Sequence, residues 1–165
     1  MNITIRPTVE EEAEALAEIQ KTAFLPLYEK YHDRKSPYLR GADDILRRIT
    51  PEYRCFTILC DGAVIGCIWY HLSGKGLKVK IKPNEYYLGR MFIAPEYQCR
   101  GIGSTVILMC ERELPEAEVY YVDFPLDMDK NRRWYEKAGF EDTGETITEE
   151  GAPILAVYKK RVRRK

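Results

Sequence analysis

A strand that leads through a glycine-rich turn into a helix constrains this chain more than any other feature. The apolar run of residues 88–93 predicts a buried strand, and a helical pattern begins at Ser104. Between them stands the hexapeptide Gln98-Cys99-Arg100-Gly101-Ile102-Gly103. The first N–H groups of a helix have no partner within it, and the helix dipole adds partial positive charge there. The turn therefore predicts a binding site for an anion such as a pyrophosphate.

The two glycines of the turn would let such an anion approach the main chain. Gly101 and Gly103 lack a Cβ, so we expect positive φ and hydrogen bonds from backbone N–H groups to phosphate, with added charge from Arg100. The alternative is that the glycine pair only starts a helix. Two other phosphate motifs do not fit, because the third glycine of the dinucleotide fingerprint is Val106 here and the Walker lysine is replaced by Ser104.

The remaining elements follow from periodicity and turn residues. An Asp61-Gly62 turn between two β-rich segments predicts a hairpin, and a capping-box pattern at residues 8–11 predicts the start of a helix. The predicted strands are residues 3–6, 55–60, 63–71, 86–93, 118–124, 140–146 and 154–160. The predicted helices are residues 8–24, 43–49 and 101–114, and a short one from residue 129.

The segment around the turn resembles the acyl-coenzyme A loop of the GNAT superfamily of N-acetyltransferases. That loop reads Gln/Arg-x-x-Gly-x-Gly/Ala after a strand, and residues 86–103 follow this pattern. Residues 134–140 are similar to a second family segment, Phe-Tyr-Glu-Lys-x-Gly-Phe, in which Gly139 would end the helix. The chain departs from the family at Met128, where an asparagine is usual, and this leaves open any coenzyme role of the neighbouring Asn131.

The resemblance implies a fold, a cosubstrate and a set of contact residues. The fold is an α/β (α+β) architecture with a mixed, mostly antiparallel sheet and splayed parallel central strands flanked by helices, in one domain of residues 1–165. The cosubstrate is acetyl-CoA. A glycine inside the central strand, Gly89, predicts a bulge that frees main-chain groups for the coenzyme, and a packing glycine is the alternative. The implied coenzyme-binding residues are Met91, Phe92, Ile93, Gln98, Cys99, Arg100, Gly101, Ile102, Gly103 and Ser104.

The chemistry implied by this cosubstrate is direct attack of an amine on a thioester. The protein must position the reactants, remove a proton from the amine and donate one to the departing thiolate. Tyr135 is the expected general acid because a phenol with a pKa near 10 stays protonated at neutral pH. Alternatively Tyr135 packs on the sheet, although its neighbour Trp134 is expected to be the more buried ring. A covalent acyl-enzyme on Cys99 is a further alternative.

The base and the acceptor are less constrained. Glu85, at the start of the central strand, is the candidate base, with a plain surface charge as the alternative and His71 as a weaker candidate. Residues 25–40 have no clear periodicity and would border the acceptor cleft. Four aromatic side chains there could line that cleft, namely Tyr28, Tyr31, His32 and Tyr38. A primary amine is expected, whether polyamine, amino acid, antibiotic or protein N-terminus.

Composition excludes some other classes of protein. Lys plus Arg and Asp plus Glu are both 26, so the formal net charge is zero and broad attraction to nucleic acid or membranes is not expected. The basic run at residues 159–165 is predicted to be a solvated tail. No apolar stretch approaches a membrane span, and five scattered cysteines indicate reduced thiols in a cytoplasmic protein. A non-catalytic module that binds acyl-CoA stays an alternative, as does a homodimer.

Overall fold

The computed structural model describes residues 1–162, which form one seven-stranded sheet flanked by helices. The strands are β1 (Ile3–Pro7), β2 (Tyr53–Cys60), β3 (Ala63–His71), β4 (Glu85–Ile93), β5 (Val119–Pro125), β6 (Glu141–Ile147) and β7 (Leu155–Arg161). The helices are α1 (Ala13–Tyr31), α2 (Ala42–Leu46), α3 (Ile102–Glu113) and α4 (Asp129–Lys137). Three short 3-10 helices span Glu10–Glu12, Pro37–Leu39 and Pro95–Tyr97.

The sheet has the strand order β1-β2-β3-β4-β5-β7-β6 and is antiparallel except at its centre. There β4 and β5 run parallel, and they pair only from Glu85 with Val119 to Tyr87 with Tyr121. Within the described residues no pairing between these strands continues past Tyr87, so their carboxyl ends diverge. The predicted mixed sheet with splayed central strands is confirmed.

The helices pack on both faces of the sheet. On one face α3 and the residues around α4 bury a large apolar cluster against the inner strands, with Val106 and Leu114 fully enclosed. On the other face α1 and α2 pack a smaller cluster around Leu16, Ile45 and Trp69. The two faces alternate along each strand because successive side chains point to opposite sides. The splay therefore lies between two helical layers.

The β2-β3 hairpin turns where the sequence predicts it. Asp61 and Gly62 both have positive φ, at 49° and 84°. Two consecutive residues with positive φ match the twist of the flanking strands, which explains the Asp-Gly pair.

Helix α1 is longer than predicted. The sequence indicates an end near Phe24 and an irregular segment after it, but α1 continues through Pro26 to Tyr31 and ends at His32, whose φ is 49°. The fully buried residues of α1 stop at Gln20, and beyond it the same face continues with half-buried side chains at residues 23, 24, 27, 28 and 31. A proline suggests a helix end, because it removes one intrahelical hydrogen bond. The predicted end near Phe24 was therefore too early, although the helical spacing continues past Pro26.

The basic run near the C-terminus is also not simply a tail. Lys159 to Arg161 lie in β7, where they pair with residues of β5. The ammonium group of Lys160 lies 2.8 Å from Glu111 in α3. Residues 163–165 lie outside the described residues. Lys159 to Arg161 therefore belong to an interior strand between β5 and β6.

Gly89 forms the predicted bulge in β4. Trp69 pairs with Arg90 and Tyr70 pairs with Leu88, so Gly89 is the extra residue. A Cβ at Gly89 would lie 2.6 Å from Nε2 of His71 and 2.7 Å from Nε1 of Trp69. The bulge and the packing interpretation are thus both correct. The bulge re-aims the rest of β4, which is the half of the strand that lines the splay.

Gly66 is required where β3 meets β4. A Cβ there would lie 2.1 Å from the carbonyl oxygen of Phe92, a backbone atom that cannot move without displacing β4. We therefore expect Gly66→Ala to lower the free energy of unfolding by about 2–3 kcal/mol in urea denaturation. Gly41→Ala is the control, because nothing lies within 4 Å of its added Cβ. An unchanged urea midpoint for Gly66→Ala would mean that β3 and β4 can move apart at Gly66 without loss of stability.

Candidate active site

The turn before α3 presents an uncapped helix N-terminus. Gly101 is the N-cap residue with φ 78°, and no side chain caps the helix. Cys99 also takes positive φ, at 60°. No atom lies within 4 Å of an added Cβ at Gly101, so its surroundings are open. The first N–H groups of α3 therefore face an open approach with the positive end of the helix dipole, which suits an anion.

Side chains around this turn hold its shape and add charge. The Gln98 amide donates to the carbonyl of Ile93 at 2.8 Å and so ties the turn to the end of β4. The Arg100 guanidinium lies 5.8 Å from the centre of the Tyr97 ring. The Nζ atom of Lys130, from α4, lies 3.7 Å from Sγ of the exposed Cys99. Two cations thus flank the turn from different elements.

Gly103 differs from the expectation drawn from the sequence. It has no positive φ, and its missing Cβ faces packed side chains rather than an open path. An added Cβ would lie 3.2 Å from the Trp134 ring and 3.4 Å from Cε of Met91. Gly101 alone of the pair supplies the left-handed conformation. Gly103 allows α3 to approach α4 closely, because Trp134 occupies the space that a side chain would need.

The second half of β4 has one unpaired edge. Met91, Phe92 and Ile93 pair with β3 on one side, and the diverging β5 leaves the other side without a strand partner in the described chain. An extended ligand with amide groups can add to such an edge as another strand would. The edge ends at residue 93, close to the turn before α3. These three residues and the turn thus form one continuous surface.

Tyr135 is placed on this surface by the end of α4. The helix stops in a Schellman motif, in which Phe140 N donates to Tyr135 O and Gly139 N donates to Glu136 O, with φ of Gly139 at 100°. The Tyr135 ring stacks on Phe124 of β5 at 5.2 Å. Burial raises the pKa of Tyr135, and the charge of Asp123 raises it further. The phenol is therefore fully protonated at neutral pH.

The expected division between the two rings of α4 is wrong. Trp134 was predicted to be the ring packed on the sheet, but Tyr135 takes that position on Phe124. Trp134 contacts Gly103 at the start of α3 instead.

A hydrogen-bonded pair on the opposite face of the splay was missed from the sequence. The Tyr87 hydroxyl donates to Oδ2 of Asp123, which lies two residues beyond the last β4-β5 pair. Burial raises the pKa of Asp123, and the bond from Tyr87 offsets part of this. Burial and the Asp123 charge also hold the pKa of Tyr87 well above its usual value. The signal available in the sequence was a charged residue, Asp123, inside a tyrosine-rich strand that was predicted to be buried.

The two candidate bases occupy different places. Glu85 lies at the paired end of β4, where its carboxylate accepts from Lys82 N at 2.9 Å and from the Tyr121 hydroxyl at 3.5 Å. His71 packs its ring edge against Tyr53 and Tyr87. Burial, with Arg48 and Arg90 nearby, lowers the pKa of His71 to about 4. His71 is therefore neutral at pH 7 and a weak proton acceptor.

The aromatic residues expected at the acceptor cleft separate into two groups. Tyr28 stacks on Tyr38 at 4.9 Å and meets His32 edge-on at 5.7 Å. Tyr31 points elsewhere and donates its hydroxyl to Asp127 at 2.6 Å, in the connection between β5 and α4. The end of α1 therefore reaches across to the carboxyl end of β5.

Ion pairs join loops that are far apart in the sequence. Glu149, between β6 and β7, lies 2.7 Å from Lys35 and 2.6 Å from Lys78. The two lysines belong to the segment after α1 and to the β3-β4 connection. These pairs lower the pKa of Glu149 to about 2. Three separate loops thus meet at one carboxylate.

A buried ionic cluster fixes α1 and α2 to β4. Arg90 donates to Asp44 at 2.5 Å and to Gln20 at 3.0 Å, and it stacks over the Trp69 ring at 4.6 Å. Arg48 lies 3.7 Å from the same carboxylate. Asp44 and Gln20 are almost completely buried. Arg90, the residue that follows the Gly89 bulge, thus anchors the helical layer formed by α1 and α2.

The sequence matches the model of the family described as the acetyltransferase (GNAT) family over residues 13–140. The chain belongs to this GNAT family. Membership makes it an acetyltransferase, and acetyl-CoA is the cosubstrate. Comparison with curated proteins gave no match.

Solved structures share the GNAT fold along the whole chain. PaiA N-acetyltransferase from Thermoplasma acidophilum, in complex with coenzyme A, has a TM-score of 0.77 at 20% identity and covers 98% of this chain and 100% of its own. The S18-alanine N-acetyltransferase of Escherichia coli has a TM-score of 0.73 at 14% identity, with coverage of 99% and 96%. AAC(6')-Ib with ribostamycin and coenzyme A has a TM-score of 0.73 at 17% identity, with coverage of 98% and 94%.

Two kinds of feature are absent from the described residues of this GNAT protein. No helix among them is long and apolar enough to cross a membrane. No group of three or more His, Cys, Asp or Glu side chains within residues 1–162 is arranged to hold a metal ion.

Proposed function

We propose that this GNAT protein transfers an acetyl group from acetyl-CoA to a primary amine by direct attack of the amine on the thioester. The observation that carries this proposal is the continuous surface formed by the open edge of β4 and the uncapped start of α3. The edge offers main-chain partners to the amides of the coenzyme arm, and the helix start offers N–H groups to its pyrophosphate. The activity is assigned to one domain of residues 1–165.

The coenzyme-binding residues proposed are those of the two segments. Met91, Phe92 and Ile93 would bind the coenzyme arm through their backbone, and Gln98 would keep the turn in place. Arg100 and Cys99 flank the phosphate side. The phosphate donors would be the N–H groups of Gly101, Ile102, Gly103 and Ser104.

Tyr135 is the proposed general acid for the departing thiolate. Its ring is fixed on Phe124 beside the splay, and its raised pKa keeps the proton on the phenol before the reaction. A departing thiolate would take this proton as the carbon–sulfur bond breaks. The attack needs no nucleophilic residue, so Cys99 has no covalent role in this proposal.

Glu85 is the base that the sequence offers. Its carboxylate lies at the paired end of β4 and contacts the Tyr121 hydroxyl, whose ring stacks on Tyr87 at 6.4 Å. From this position Glu85 would accept the amine proton through intervening water or hydroxyl groups. The acceptor cleft would be bordered by the cluster of Tyr28, His32 and Tyr38, whose rings pack on one another.

A screen for release of free coenzyme A thiol tests the proposed transfer. Spermidine, ribostamycin and a peptide that begins with alanine represent a polyamine, an aminoglycoside and a protein N-terminus. Acetyl-CoA binding together with acceptor-dependent thiol release is the expected result. If acetyl-CoA binds but none of the primary amines causes release of coenzyme A thiol, a regulatory acyl-CoA-binding module would be favoured instead.

We also propose a reducing, cytoplasmic location, because all five cysteines are free thiols.

Gly101→Val is expected to weaken acetyl-CoA binding by at least ~10-fold in calorimetry. Valine disfavours the positive φ that Gly101 adopts, so the first N–H groups of α3 would lose their alignment. Gly144→Val is the matched control, because Gly144 has φ 81° and equally open surroundings but lies on β6. The control separates backbone strain from binding. Equal affinity in a folded Gly101→Val protein would contradict the proposed pyrophosphate site.

A further inference from the structure

We infer that Asp123, positioned by Tyr87, is the group that takes the proton from the attacking amine. The inference rests on the proposed direct transfer and places the base at Asp123 instead of at Glu85, the carboxylate that the sequence offers. Asp123 lies on β5 just past the last pair with β4, so it stands at the point where the strands begin to diverge. Glu85 lies at the opposite, paired end.

Strand alternation places Asp123 and Tyr135 on opposite faces of the splay. Tyr121 and Asp123 share one face of β5, and Phe124 points to the other, where it carries the Tyr135 ring. Phe124 directly follows Asp123 on β5, so the Tyr135 ring that stacks on it lies on the other face of the same strand end. Burial raises the pKa of Tyr135, and the Asp123 charge raises it further. A reacting centre between the diverging strands would therefore have a carboxylate on one side and a phenol on the other.

The surroundings of Asp123 keep the carboxylate available for a proton. Tyr87 of β4 donates to one oxygen, Oδ2, and the partner on β7 is the apolar Val157. From the β3-β4 connection, Val79 packs beside Tyr87 and Val157. On the other face of β5, Tyr135 of α4 packs on Phe124, the residue next to Asp123. Among residues 1–162 no cation forms an ion pair with Asp123, so no fixed positive charge competes for it.

The proton balance of the transfer assigns one proton to each group. The amine enters neutral, its nitrogen bonds to the acetyl carbon, and the carbon–sulfur bond breaks. The excess proton on nitrogen passes to the Asp123 carboxylate, directly or through one water. The thiolate takes the Tyr135 proton. Exchange with solvent then returns a proton to Tyr135 and removes one from Asp123, so the site is reset.

Burial and Tyr87 act on Asp123 in opposite directions, and this gives a specific test. The bond from Tyr87 lowers the pKa of Asp123, so Tyr87→Phe should raise it. If Asp123 is the base, the acidic limb of the pH profile of kcat must move to higher pH in Tyr87→Phe, because the base then loses its proton only at a higher pH. In Asp123→Asn the same limb should disappear. A merely structural role of either residue would change stability without moving this limb.

The experiment uses the full chain with the acceptor that reacts fastest among spermidine, ribostamycin and the alanine peptide. We expect Asp123→Asn to lower kcat by ~10²-fold or more with unchanged acetyl-CoA affinity in calorimetry. The control Asp43→Asn removes an exposed carboxylate and should leave kcat unchanged. Without turnover, carboxyl NMR titration of Asp123 in the wild-type and Tyr87→Phe proteins gives the same comparison.

The outcomes distinguish this inference from the proposed function. A wild-type protein that binds no acetyl-CoA would overturn both. Normal binding and turnover with an intact acidic limb in Asp123→Asn would overturn the assignment of Asp123 alone. If the acidic limb of the pH profile of kcat disappears in Glu85→Gln and persists in Asp123→Asn, the base role would return to Glu85. If the midpoint of the Asp123 titration, followed by carboxyl NMR, does not rise in Tyr87→Phe, the positioning role of Tyr87 would be overturned.

Discussion

Replacing Asp44 by asparagine is expected to lower the free energy of unfolding by about 3–5 kcal/mol. Asp44 is 4% exposed, and its carboxylate faces Arg90 at 2.5 Å and Arg48 at 3.7 Å. Removing the anion leaves the Arg90 guanidinium buried without its counter-charge, and such a group cannot lose its proton to escape the cost. Urea denaturation at pH 7 measures the change.

Two further variants identify the cause of that loss. Asp43→Asn removes the exposed neighbour on α2, and we expect a change below about 0.5 kcal/mol. Adding Arg90→Met to Asp44→Asn removes the unpaired cation as well, so part of the lost stability should return. Equal stability of Asp44→Asn and Asp43→Asn would show that the cluster does not anchor α2.

The pH dependence of the Asp44 effect has a defined sign. Burial would raise the pKa of Asp44, but Arg90 and Arg48 outweigh it, so the pKa is lowered in the folded protein. Its contribution is complete above the ordinary aspartate pKa of about 3.9 and is lost as the pH falls through the lower folded value. The difference between wild type and Asp44→Asn should therefore narrow below about pH 4.

Tyr135→Phe is expected to lower kcat by ~10²-fold with little change in acetyl-CoA affinity. The substitution removes only the hydroxyl, so the ring can keep its stacking on Phe124. The loss corresponds to the lower range for a general acid, and it should appear in kcat because the proton is needed as the thiolate departs. Steady-state kinetics with the fastest acceptor and calorimetry with acetyl-CoA measure the two quantities.

Tyr158→Phe is the matched control for Tyr135→Phe. Tyr158 packs on the same Phe124 ring at 4.8 Å, but it belongs to β7 and its hydroxyl faces Glu136 at 3.4 Å. We expect near wild-type kcat from this variant. If Tyr135→Phe also keeps wild-type turnover, water or another group donates the proton to the thiolate.

Features encoded within a few neighbouring residues could be predicted from the sequence. The Asp61-Gly62 hairpin, the Gly89 bulge and the end of α4 at Gly139 each follow from local backbone requirements. The long reach of α1 was not predicted, because its last turns carry only half-buried side chains and Pro26 suggests an end. Local signals thus located the turns and the bulge but not the length of the helix beside the cleft.

Pairs that meet only in the folded sheet stayed hidden. Tyr87 and Asp123 are 36 residues apart, and Arg90 and Asp44 are 46 apart, so neither pair leaves a pattern in a local window. The role of Gly103 was misjudged for the same reason, since the ring that fills its free space comes from Trp134. Single residues of the site were predicted, while their partners depended on the topology.

The short pairing of β4 with β5 also weakens the coupling between the two halves of the sheet when the protein unfolds. Three residue pairs are the whole backbone ladder between strands β1 to β4 and strands β5 to β7 in the described chain. One further backbone bond, from Glu118 N to Asn84 O, precedes the ladder, and side-chain packing such as Tyr70 against Tyr120 also holds the two halves together. Backbone amides along the splay therefore exchange with solvent more readily than those of a continuous sheet. A coenzyme lying along that edge would supply the missing hydrogen bonds and couple the unfolding of the two halves.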